Sequence, residues 1–414
     1  MKQLYLALFI TLVILSSCST SSPNFQSIYL SDLEHDQARY LANFKEIHAI
    51  VESKHPYLKT KGIQPDSLYA KYATLVAKAE DNAAYGKLML QYFGDLQNGH
   101  SNVYFRRGVI NCSAVLVEDR VFISNVWDDR FAAAGIKGRD EILEIDGIPV
   151  LDWLEREKTY VSASTTQGRT ALVLSNNLFT SYFKDTRRYL IQTADSLKEI
   201  AITFDDQASS QAPGYTLATG KSNSEEVGYI AINGMRGDVV EQFVQHYQRL
   251  KHKPYLIIDL RNNGGGNSAL GEKMAAYLIK RKYKASVSRK SLIPGADNYQ
   301  GNLLVQTSGY TFSSAESFAI DLWEGADAVL IGTPTHGDTG NGATLFATSQ
   351  GLTFRIPTRE PRVSVGGFPM EGKSIPTAHL VAPTAADFLK GEDTVLSYTL
   401  NLINQGIASK AEKQ

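Results

Sequence analysis

The chain has 414 residues, 43% of them hydrophobic and 21% charged, with a net charge of −1. That balance suits a globular chain with a sizeable core in two or three domains. It excludes bulk electrostatic attraction to nucleic acid or to an anionic membrane surface. The two cysteines, Cys18 and Cys112, are too far apart for a disulfide framework or a zinc site.

The first 17 residues read as an export signal. Met1-Lys2 is a minimal positive start, and residues 4–15 form an apolar run too short to span a bilayer comfortably. The run ends Leu15-Ser-Ser-Cys18, which resembles a lipobox. That resemblance implies a lipid on Cys18, a polar tether over 18–26 and a membrane-anchored, periplasm-facing envelope protein. The alternative is an ordinary signal peptide that happens to carry a cysteine.

Residues 27–107 read as a small helical domain. Phe44, Ile47, Ile50 and Val51 recur at helical spacing, as do Leu68, Tyr72, Leu75 and Val76. The stretch Tyr92-Phe-Gly-Asp-Leu-Gln-Asn-Gly-His-Ser101 then turns into a short strand, with His100 at the junction. A loop held by a scaffold is a common place for a catalytic group. Residues 108–206 change to short β-rich runs, and Asp146-Gly147 between apolar runs is a hairpin signal. Residues 176–191 read as an aromatic and basic insert without a clear place, and 207–224 as a polar linker. Over 225–405 strands and helices alternate, which argues for a layered α/β core.

Two motifs in that core carry chemistry. Asp259-Leu-Arg-Asn-Asn-Gly-Gly-Gly266 follows a buried strand and offers bare backbone N–H groups at the end of a sheet. This loop itself contains no Gly-Lys-Ser/Thr and no G-x-G-x-x-G, so a nucleotide cradle there is a weak reading. Gly309-Tyr-Thr-Phe-Ser-Ser-Ala-Glu-Ser-Phe318 turns into a helix start, where free N–H groups and partial positive charge favour an oxyanion. Ser313 and Ser314 are therefore nucleophile candidates, although a plain serine N-cap has the same appearance.

In their order, these motifs are similar to those of the C-terminal processing and tricorn-core serine peptidases, over about residues 90–400. The ordered set is Gly-His, then Gly135-Ile-Lys-Gly-Arg-Asp140 with Ile145-Asp-Gly147 of a PDZ-like domain, then Asp-Leu-Arg-x-Asn-x-Gly-Gly, then Ser-x-Ala-Glu. The resemblance implies a ClpP- or crotonase-like α/β core with a helical N-terminal domain and an inserted PDZ-like β-domain. Arg139 departs from the glycine usual before that aspartate. The serine three positions before the glutamate maps onto Ser313, with Glu316 as the helix residue. The oxyanion hole falls to Gly265, Gly266 and the N–H of Ser314.

The processing branch uses a lysine about two dozen residues beyond the serine. Here Asp338 occupies that place, or Asn341 in a shifted alignment, and neither can serve as a neutral amine base. The tricorn-like branch uses Ser, His and Glu, which map onto Ser313, His100 and Glu371. His100 would take the Ser313 proton, and Glu371 would orient the imidazole or hold a hydroxyl network. His336 and His379 are rival bases. Thr377 and Asn98 each stand where the family often has aspartate.

The implied activity is a serine endopeptidase or carboxy-terminal processing-type peptidase acting on peptide or protein substrates through an acyl-enzyme. No metal, organic cofactor or nucleic-acid partner is implied. Two other readings stand beside it: a degenerate peptidase fold that binds peptides through its PDZ-like domain, and a crotonase-like acyl-group enzyme.

Overall fold

Apolar residues at helical spacing in the first third fold into the helices Gln37–Lys54, Pro65–Val76 and Asn82–Asp95. Asp36 caps the first by accepting from Arg39 N at 3.0 Å, and Asp81 caps the third through Ala84 N at 2.7 Å. In the computed structural model, residues 29–32, 35–204, 216–340, 342–360 and 362–406 are described. The expected signal, tether and Cys18, and also Asn341, lie outside the described residues.

The helical region shares its core with a distant part of the chain. Phe44, Tyr72, Tyr85, Tyr92 and Phe93 pack with Phe354 and Ile356. The last two come from the strand Thr353–Pro357, which pairs with Ala343–Ala347 on one side and Asn102–Tyr104 on the other. Each buried aromatic or aliphatic side chain there contributes about 1.5–3 kcal/mol. This hairpin carried no sequence signal, yet it clamps the helical region onto a strand pair about 300 residues further along the chain. Arg39 Nη2 donates to Gln350 O at 2.9 Å, and Ser349 N donates to Glu46 Oε2 at 2.9 Å.

The PDZ-like region is an antiparallel sheet in the order Cys112–Val117, Arg120–Val126, Glu141–Ile145, Thr186–Gln192, Leu197–Thr203. Asp146 and Gly147 take φ of 51° and 74°, the left-handed pair that a two-residue hairpin turn requires. Arg139 stands at φ 79°. This is the conformation glycine adopts at least cost, so the usual glycine at that place has a backbone cause. The unplaced 176–191 stretch is structural. Arg187 donates to the carbonyls of Asn177 at 2.7 Å and Leu178 at 3.0 Å, between the rings of Trp153 and Phe204.

The core sheet runs Ala218–Ser222, Val227–Ile232, Tyr255–Asp259, Asn302–Thr307, Val329–Gly332, His379–Leu380. Its first pair is antiparallel and the rest are parallel. The first strand corrects the linker reading over 218–222, while 207–215 lie outside the described residues. Ile230, Ile258 and Val305 face the helices Val239–Leu250, Ser268–Ala275 and Ser314–Ala326. Ile257, Leu304 and Ile331 face the helix Thr394–Asn404. Both sheet faces are thus covered, as parallel sheets require. The loops after Asp259, Thr307 and Gly332 all leave the carboxyl ends of parallel strands, where open α/β sheets hold their sites.

Candidate active site

Ser313 sits between the strand Asn302–Thr307 and the helix Ser314–Ala326, at φ 58° and ψ −119°. A non-glycine residue there costs on the order of 1–3 kcal/mol and persists only where its surroundings enforce it. The enforcement is visible. Ser313 N donates to Glu316 Oε2 at 3.2 Å, Phe312 N donates to Asn263 O at 3.1 Å, and Thr311 Oγ1 donates to Leu260 O at 2.9 Å. Fully buried Glu316 also accepts from Gly337 N at 2.7 Å and Asp338 N at 3.1 Å. Burial pushes its carboxyl up to about 7, with His336 pulling the other way.

The elbow aims Ser313 Oγ at His100, whose Nε2 lies 2.9 Å away. The imidazole packs on Phe312, with ring centroids 4.9 Å apart and planes 26° apart. His100 N donates to Asn98 Oδ1 at 3.1 Å, and Gly99 N donates to Asp338 Oδ1 at 2.8 Å. A Cβ on Gly99 would stand 2.9 Å from Asp338 Oδ2, so the turn has no room for a side chain there. Burial lowers the imidazole pKa to about 4; Asp338 opposes this, and Arg355 and His336 add to it. The ring is therefore neutral at pH 7.

Glu371 does not hydrogen-bond His100, which corrects the orienting half of its expected role. Glu371 Oε2 and His100 Nδ1 each lie 3.3 Å from where a Cβ on Gly340 would stand, and both are buried without a hydrogen-bond partner. Glu371 Oε1 instead joins a polar network: Asn98 Nδ2 at 2.8 Å, Ser164 Oγ at 2.6 Å and Lys61 Nζ at 2.8 Å. Asn98 thus couples Glu371 to the His100 backbone, and an amide can donate to Glu371 where an aspartate would repel it. Burial raises the Glu371 pKa and Asp338 adds to this, while Lys61 opposes both.

Lys61 and Ser164 carried no sequence signal, since each comes from an ordinary polar stretch far from Glu371 in the chain. Asp338 is not a base. It is a buried anchor that accepts from Gly99 N, from Ser164 N at 3.0 Å and from Ser164 Oγ, and its Oδ2 lies 2.8 Å from His336 Nδ1. His336 is buried against Phe312, with Nδ1 on Asp338 and Nε2 without a hydrogen-bond partner, so it makes no hydrogen bond to Ser313. His379 lies on an edge strand, 3.1 Å from Tyr398 Oη.

The glycine loop packs directly on the elbow. A Cβ on Gly265 would stand 2.6 Å from Phe312 O and 3.1 Å from Ser314 N. Gly265 differs from expectation, because its N–H donates to Asn263 Oδ1 at 2.9 Å and shapes the loop instead of standing free. Met235 grips the loop on either side of Gly266, donating to Gly265 O at 3.0 Å and accepting from Asn267 N at 2.7 Å. That pattern leaves the Gly266 N–H unused by Met235. The Ser314 N–H opens its helix and has no acceptor within it.

The sequence model of Peptidase family S41 matches residues 226–378, and that of the Bacteroidetes S41-family N-terminal domain matches 116–204. The chain belongs to peptidase family S41. The Carboxyl-terminal-processing protease of Picosynechococcus sp. strain PCC 7002 is 26% identical over 213 residues, covering 50% of this chain. The match spans 47% of that relative's length. Mature CPAF complexed with lactacystin superposes with a TM-score of 0.75 at 15% identity, over 90% of this chain and 99% of that one. The tricorn protease gives 0.52 at 17% identity, over 90% of this chain and 37% of that one. The photosystem II D1 C-terminal processing protease gives 0.51 at 14% identity, over 84% and 94%. These structural likenesses show an S41 fold with a helical N-terminal region. No helix among the described residues is long and apolar enough to cross a membrane.

Proposed function

We propose that this S41-family chain is a serine peptidase with Ser313 as nucleophile and His100 as base. The observation that carries the reading is the 2.9 Å approach of His100 Nε2 to Ser313 Oγ at an enforced elbow. His100 takes the Ser313 proton as Oγ attacks a peptide carbonyl. The N–H groups of Ser314 and Gly266 receive the developing oxyanion. His100 then passes the proton to the leaving amine, and the acyl-enzyme is hydrolysed by water activated on the same imidazole. Glu371, held by Lys61, Ser164 and Asn98, steadies the imidazolium by its charge and through the Asn98 bridge. Residues 27–107 and 108–206 would flank the site, and 225–405 would carry Ser313 and Glu371.

A fluorophosphonate probe tests the reading. Labelling should be lost in Ser313→Ala and kept in Ser314→Ala, because Ser314 contributes a backbone N–H that alanine retains. Folded protein that resists the probe would instead favour a degenerate, peptide-binding module.

We further propose that Cys18 is lipidated and holds the enzyme at the envelope, facing the periplasm. The support is the Leu15-Ser-Ser-Cys18 ending of the apolar run, with no acidic run after it. Radiolabelled palmitate should enter the wild-type chain and not Cys18→Ala. Equal incorporation in both would overturn the anchor.

A further inference from the structure

A cavity of about 440 Å³ opens beside the elbow. This is within the range of small-ligand pockets. Gly99 and Ser101, which flank His100, line it, as do Phe312 and Gly264. Its walls mix aromatic and aliphatic side chains with neutral polar ones such as Asn102, Ser162 and Asn176, and its charged residues are of one sign. Arg107 and Arg355 line it, and no Asp or Glu does.

Arg355 is unlike other partly or fully buried arginines among the described residues. Arg261 pairs with Asp259 and Asp393, both at 2.7 Å, and Arg187 and Arg169 donate to backbone carbonyls. Arg355 lies opposite Asn102 across the strand pair, with the Tyr104 ring 5.9 Å from its guanidinium. Its Nε is buried without a hydrogen-bond partner, as is Asn102 Oδ1 beside it. A buried N–H donor without an acceptor is costly, and a planar carboxylate matches the donor fork of a guanidinium best.

We infer that this cavity is a substrate subsite that takes a carboxylate-bearing residue, read by Arg355. The carboxylate is either an acidic side chain or the chain end of the peptide. The inference rests on the peptidase reading of Ser313 and supplies its substrate class.

The test is direct binding to the full chain carrying Ser313→Ala, so that nothing is turned over. Fluorescein-labelled alanine-rich hexapeptides with one Phe would carry Glu or Gln at successive positions, each with a free or amidated C-terminus. Fluorescence anisotropy should show one carboxylate form binding at least about tenfold tighter than its neutral partner. A Glu-over-Gln preference identifies the side chain, and an acid-over-amide preference identifies the chain end. Adding Arg355→Met should erase the preference while keeping the affinity for the neutral peptide, which also reports an intact fold. Arg355→Lys should restore part of it. Equal binding of all forms, no binding of any, or a preference that survives Arg355→Met overturns the inference. A preference lost with Arg355, in a chain whose Ser313 resists fluorophosphonate, would keep the subsite and remove the peptidase.

Discussion

His100→Ala should reduce fluorophosphonate labelling of Ser313 by at least about 10³-fold, whereas His379→Ala should leave it unchanged. The serine hydroxyl is a poor nucleophile without a base, and Nε2 of His100 is 2.9 Å from it. His379 sits on the far edge of the sheet with Tyr398. The pH dependence sharpens the expectation. Only neutral imidazole can accept the proton, so labelling should hold from neutrality downward and fail as pH falls through about 4. An ordinary histidine would fail near 6.5. Burial is the main cause of the shift, and Arg355 and His336 also disfavour the charged ring. An acid limb near 6.5 would mean that the ring is open to water in solution. Full labelling of His100→Ala would remove it as the base.

What could be read from the sequence divides by the range of the interaction. The elbow was legible because small residues, a helix start and a three-glycine loop are local signals. The Asp146-Gly147 hairpin was legible for the same reason. The strand Ala218–Ser222 was not, because Thr219, Gly220, Lys221 and Ser222 read as linker. It is held by its register with Val227–Ile232 and by His246, whose Cγ would stand 2.6 Å from a Cβ on Gly220. Glu371 was found by its place in a motif, but its partners were not. Ser164 is 207 residues from Glu371 in the chain and Asn98 is 273, so only the fold brings them together. Arg355 was invisible for a related reason. In a strand it reads as a surface charge, and only the absence of an acid around it gives it meaning.

Asp338→Ala should destabilise the chain by about 3–5 kcal/mol, seen as a lower urea midpoint, and should also impair labelling in the protein that remains folded. Burial alone would raise the pKa of this carboxyl. The His336 ring, with Ser164 and Gly99, instead holds it well below the usual carboxylate range. A carboxyl depressed on folding contributes stability above its unfolded pKa of about 3.9 and loses it as pH falls through the folded value. Removing it leaves the Gly99 and Ser164 N–H groups and the His336 ring without their shared acceptor, with Gly99 and His336 buried. The stability loss alone would mark Asp338 as a core anchor. The labelling loss follows because Gly99 N–H is one of the bonds that fix the turn carrying His100. Asp338→Asn separates the two effects: it retains a carbonyl for Gly99 while weakening the pairing with His336. It should therefore recover labelling more fully than stability. A variant that regained stability and still failed to label would place Asp338 closer to the proton transfer than this geometry does.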